Sequence, residues 1–209
     1  MNKNLYIEET LNSISHGFAA IASVIGFIAL TLNSSKQEWV LFSSIVYGLS
    51  LIILYTCSTL YHWSRNKKIK HVLRIADHCS IFILIAGTYT PILLISIGGS
   101  VGWYFFGIQW ALVLIGIVLK LFYTGKYEII SVLIYITMGW MVIFKWDYIT
   151  NSISDTPFNL LLAGGIKYTI GILFYLLDSK IKYFHFVWHL FVITGSVLHY
   201  IVIFKYVIN

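Results

Sequence analysis

Seven stretches of roughly 20 apolar residues follow one another along the chain with short connectors, and a hydrocarbon core of about 30 Å needs about that many residues per helical span. They fall near 14–32, 39–62, 75–97, 102–122, 129–146, 158–177 and 185–206. Backbone N–H and C=O groups in lipid have no water to bond, so only helices and closed barrels cross it. A barrel needs alternation of apolar and polar residues over segments of about ten. Runs such as WALVLIGIVLKLFY are apolar on every face, so helices are expected. The fold predicted is all-α: a polytopic membrane protein built as a seven-transmembrane-helix bundle, with residues 1–209 forming one domain. With 59% hydrophobic and 11% charged residues, nothing remains for a water-soluble domain.

Basic loops stay on the cytoplasmic side, and that sets the expected orientation. Lys3, Arg65, Lys67, Lys68, Lys70, Arg74, Lys120, Lys126, Lys180 and Lys182 fall on one side, and Lys36, Lys145 and Lys205 on the other. This puts the N-terminus inside and the C-terminus outside. Trp39, Trp103 and Trp146 at outer ends and Trp63 at an inner end suit the interfacial aromatic belts. The net charge of +6 therefore belongs to cytoplasmic loops lying against anionic lipid, and no nucleic-acid partner is expected. The first apolar run is longer than a usual secretory core and follows Glu8 and Glu9, so it is expected to be retained. Cys57 and Cys79 lie near the reducing inner face without a CxxC motif, as small buried thiols.

With orientation set, ligand-type side chains converge at one depth. His62 closes the second span, Asp77 opens the third, and His185 and His189 open the seventh. Residues four apart share a helix face, so His185 and His189 can address one ion, and Ser58 lies on the His62 face. Three histidines with a fourth position held by water or carboxylate make a zinc site of the open, catalytic kind. Asp77 then offsets charge and accepts a hydrogen bond from the bound water. A histidine pair beside an interface can also simply bond loop carbonyls, and Asp77 can simply neutralise Arg74; the shared depth of the four argues against both. Ser58 alone would bond back to its own helix.

Glu9, Asn12 and His16 share one stripe of the first segment, either as a solvated amphipathic approach or as contacts that orient the metal ligands. His199, about 15 Å beyond His189 along the helix, is too far to bind the same ion; a buried polar contact to span one or two is expected, and it is grouped with the outer contacts of the site. His78 points about 100° away from Asp77, and His71 belongs to the solvated basic loop. Pro91 should kink the third span. Lys167 lies inside the sixth span without an evident acidic partner.

ETLNSISHG, STLYHWS, RIADHCSIFILIAGTYTP, GGIKYTIGILFY and HFVWHLFVITGSVLHY, in that order, resemble the bacterial hemolysin III family, part of the progestin and adipoQ receptor group with the adiponectin receptors and, more distantly, the alkaline ceramidases. The resemblance implies seven helices with an inside N-terminus in a bacterial inner membrane. It also implies zinc held by His62, His185 and His189, with Asp77 on the zinc-bound water and Ser58 adjacent. In the receptors and ceramidases such a site goes with hydrolysis of a lipid amide, and the bacterial members are named for red-cell lysis. Lys167 departs from the pattern, standing where a small or apolar residue is expected.

The expected function is zinc-dependent hydrolysis of a membrane-lipid amide or ester, with Asp77 and Ser58 as catalytic groups. The rival is a structural zinc in a non-enzymatic membrane factor: a cytolysin, a channel or a regulator of membrane state. A transporter fits less well, because paired broken helices are missing from the sequence pattern.

Overall fold

The computed structural model describes residues 3–34, 38–141, 143 and 154–208. Lys36, Lys145, Trp146 and the outer part of the expected fifth span lie outside the described residues. Seven helices are described: α1 Lys3–Asn33, α2 Val40–Trp63, α3 Lys67–Pro91, α4 Gly99–Tyr123, α5 Glu128–Gly139, α6 Asp155–Leu177 and α7 Phe184–Val202. Among the described residues six are long and apolar enough to cross a membrane, and α5, with 12 residues, is shorter.

The helix ends follow local chemistry. Asn66 caps α3, its side-chain oxygen accepting from Lys68 N at 3.0 Å and Ile69 N at 3.3 Å. Pro91 offers no N–H, and beyond it α3 runs on into a π-helical stretch, Ile92–Ile97. Gly98, at φ +64°, closes it by donating its N–H to Leu93 O. Gly102 then has to be glycine, since a Cβ there would stand 2.1 Å from the Leu93 carbonyl oxygen. α1 begins about three turns before the apolar run expected for span one, because the polar stripe of Glu9, Asn12 and His16 continues the same helix.

α1 packs on α2, α2 on α3, α7 on α6, and α1 closes the ring against α7; α4 and α5 cover α3 on its other side. One core joins Leu30, Tyr47, Leu51, Tyr55, Leu84 and Val192 from α1, α2, α3 and α7. A second, from α3, α4 and α5, centres on Phe82, Val113 and Met138. Gly48, Gly116 and Gly171, each able to serve packing within or between copies, face Phe27, Phe82 and Trp188 of their own chain. Outward, α1 and α4 each present an apolar face, Leu32 at 79% and Leu114 at 67% exposure among the residues, which the bilayer covers.

One charge differs from the sequence expectation. Lys120, grouped there with the loop lysines, is 1% exposed and pairs with Glu128 Oε2 at 2.5 Å. Arg74 pairs with the same Glu128 at 3.5 Å. His78 Nδ1 also faces Glu128, at 3.7 Å, on the side of α3 away from Asp77, as their angular separation requires.

Candidate metal centre

The last two turns of α2 carry Ser58 and His62, and the first turns of α7 carry His185 and His189, at the end of the bundle where Arg65, Lys67 and Lys68 cluster. Packing of α1 against both α2 and α7 brings the two segments together. The ring centres lie 5.1 Å (His62 to His185), 4.9 Å (His62 to His189) and 4.9 Å (His185 to His189) apart. One nitrogen from each ring lies within 4.8 Å of the other two, close enough for all three to bind a common metal ion.

Two carboxylates hold two of the rings. His62 Nδ1–H donates to Glu9 Oε2 at 3.3 Å, and the same oxygen accepts from Lys70 Nζ at 2.5 Å. His185 Nδ1–H donates to Asp178 Oδ2 at 2.6 Å. A carboxylate on one ring nitrogen selects the tautomer whose lone pair is on the other, the arrangement typical of metal-ligating histidines. His62 Nε2 and His189 Nδ1 are buried without a hydrogen-bond partner. Such orphan nitrogens are costly in an apolar interior unless something else engages them.

The polar stripe of α1 completes the surroundings. His16 stacks on His189 with ring centres 3.6 Å apart and planes 8° from parallel, and meets Tyr55 edge-on at 5.0 Å. Asn12 and His16 are 2% and 3% exposed, so this stripe is buried, which excludes the solvated-approach alternative. Asp77 is buried, with the Ser58 hydroxyl in hydrogen-bonding reach and His185 in electrostatic reach; its carboxylate stands outside the three-nitrogen group.

His199 is not at this centre. Its Nε2 bonds to the Leu161 carbonyl of α6 at 3.0 Å, so the contact expected from α1 or α2 comes instead from a helix that sequence depth could not choose. Gly164 makes the approach possible, since a Cβ there would lie 2.3 Å from the His199 ring. Lys167 has its ammonium over the Phe191 ring at 5.6 Å. Asp178 was missed by the sequence reading. Its signal was a carboxylate seven residues before His185, but the non-helical turn of residues 178–183 lies between them, so no helical-face argument joins the two.

The fold and the histidine cluster define a polytopic helical membrane protein with a buried group able to hold a metal ion. The chain belongs to the Haemolysin-III related family, whose profile matches residues 4–200. It is 39% identical over 203 residues to Hemolysin-3 of Bacillus cereus, covering 96% of this chain and 92% of that one. It is also 39% identical to the Hemolysin-3 homolog of Bacillus subtilis (strain 168), covering 90% and 89%. The Homo sapiens monocyte to macrophage differentiation factor is 28% identical over 205 residues, covering 95% of this chain and 84% of its own length.

Proposed function

We propose that the chain is a single seven-span domain in a bacterial inner membrane, N-terminus inside, that hydrolyses an amide or ester bond of a membrane lipid with zinc held by His62, His185 and His189. The observation that carries this reading is the triad of imidazoles, two oriented by carboxylates and two with buried, unpartnered nitrogens. An all-imidazole donor set suits zinc rather than magnesium or calcium, which take oxygen ligands. The described part of α5 is shorter than a span, and the seventh crossing requires the residues that follow it.

Zinc bound there would supply a Lewis acid for the carbonyl and lower the pKa of a water to about 7. Asp77, which stands beside the histidines rather than among them, would be the group to orient a water there and take up its proton. The Ser58 hydroxyl donates its one proton to the Asp77 carboxylate and so holds it in place beside the histidines. Glu9 and Asp178 keep the rings of His62 and His185 aimed, and His16 keeps His189 from tilting.

Metal analysis of purified protein tests the site, and lipid analysis tests the chemistry. Wild type should carry about one zinc per chain, and His185→Ala with His189→Ala should carry none. Asp77→Asn should keep zinc and lose lipid turnover. Because the ligands come from α2 and α7, a bound metal would also clamp these two helices, which favours the structural-zinc, non-enzymatic reading as the alternative. Zinc-dependent thermal stability with no lipid product from wild type would select it.

A further inference from the structure

Two hollows flank the middle of α7. One, of about 110 Å³, lies inside the bundle, bordered by Leu84, Thr88, Trp140, Tyr168, Trp188 and Val192. Its lining begins one helical turn beyond Ser58, Asp77 and His189, at Leu54, Ile81 and Val192. The other, of about 330 Å³, is a crevice between α1 and α7, bordered by Ala22, Gly26 and Ala29 on one side and Ile193, Val197 and Tyr200 on the other. It is continuous with the apolar surface of α1 and α7 that the bilayer covers, where Ile21, Ile25 and Val197 are 63%, 65% and 51% exposed.

The wall between them is polar and thin. Ser196 Oγ accepts from Tyr55 OH at 2.7 Å and is paired with Tyr168 OH at 2.7 Å. Tyr55 and Ser196 border the crevice, and Tyr168 borders the interior hollow. Three hydroxyls from α2, α7 and α6 thus form the partition. Neutral hydrogen bonds of this kind are individually weak and reversible. The Tyr55 ring also rests on His16, which stacks on His189, so the crevice ends one ring away from the histidine group.

We propose that the α1–α7 crevice binds one alkyl chain of a bilayer lipid, and that this chain passes the Tyr55–Ser196–Tyr168 partition into the interior hollow. A crevice at hydrocarbon depth is not filled by water, and Ala22, Gly26 and Ala29 give its α1 side little bulk, so the occupant is a lipid chain; Tyr200 bridges the crevice at Gly26, its hydroxyl donating to the Gly26 carbonyl at 2.9 Å. α7 packs along α6 but meets α1 more sparingly, making this the seam that can part. The inference rests on the hydrolase reading only in making this route the substrate's entry.

The test uses full-length protein in phosphatidylcholine vesicles containing a phosphatidylcholine with a photoactivatable diazirine acyl chain, with adducts mapped by mass spectrometry. Wild type should be labelled at crevice residues such as Ala22 and Val197 and at interior residues such as Ile85, above the level on the open α4 face at Leu114. Filling the slot from either side, with Ala22→Phe or with Val197→Phe, should abolish both crevice and interior labelling; both positions are surface-exposed, so the fold tolerates them. Tyr55→Phe removes one bond of the partition and should speed interior labelling about fivefold with crevice labelling unchanged. Crevice labelling no higher than at Leu114, or interior labelling that survives both filled variants, would overturn the proposal. Labelling needs neither metal nor turnover, so failure of the hydrolase reading would leave its outcome intact, and its failure would leave hydrolysis to the lipid assay.

Discussion

Glu128→Ala should be among the most damaging substitutions outside the histidine group. It removes the partner 2.5 Å from the ammonium of Lys120, a side chain only 1% exposed. It also strips acceptors from Arg74 NH2 at 3.5 Å, the Gly125 N–H at 3.0 Å and Tyr175 OH at 3.5 Å. Leaving one member of a buried pair uncompensated costs about 3–5 kcal/mol, because the remaining charge stays desolvated. At about 2–4 °C per kcal/mol for a chain of this size, the expected fall in Tm is on the order of 10 °C. Thermal unfolding of detergent-purified protein, followed with a thiol-reactive dye reporting on the half-buried Cys57 and Cys79, measures it. Lys120→Met combined with Glu128→Leu should recover most of the loss, since no charge is then left in apolar surroundings. A single variant within about 2 °C of wild type, or a double variant no better than the single one, would refute the claim that this pair is a desolvated charge network.

Three further outcomes follow from the geometry. Asp178→Asn should weaken metal affinity about 10–100-fold at unchanged stoichiometry, measured by competition with a chromophoric chelator, because the His185 ring loses its orienting carboxylate. Gly116→Ala should destabilise by about 1–3 kcal/mol in the same thermal assay, since its Cβ would stand 2.5 Å from the Phe82 ring. His16→Phe should retain more metal than His16→Ala, because an aromatic ring preserves the stack on His189; equal losses would show that the ring nitrogens, not the stack, are what matters.

The site was legible in unusual detail because membrane depth supplies a coordinate that a soluble sequence lacks. Once the spans and their ends were placed, His62, Asp77, His185 and His189 had to lie at one level, and the four-residue spacing of the last two aimed them together. His199 shows the limit of that coordinate: depth separated it from the histidine cluster but could not say which neighbouring helix would meet it, and the partner is the Leu161 carbonyl of α6. Lys120 misled for the same reason. At a helix end it read as a loop charge, and only the fold of the α4–α5 turn, which swings Glu128 back onto it, buries it.

The sequence by itself determined that the chain is helical, that it lives in lipid, and which residue types meet at the basic end. It did so because hydrocarbon admits few backbone structures and makes every buried polar side chain informative. Only the tertiary structure decided the lateral arrangement: Glu9 and Asp178 on the histidine rings, His16 stacked on His189, the Glu128 network behind Asp77, and the crevice between α1 and α7. Those depend on the order of helices around the ring and their rotation about their own axes. Close packing of particular side chains sets both, and apolar stretches that are uniform on all faces do not encode them individually.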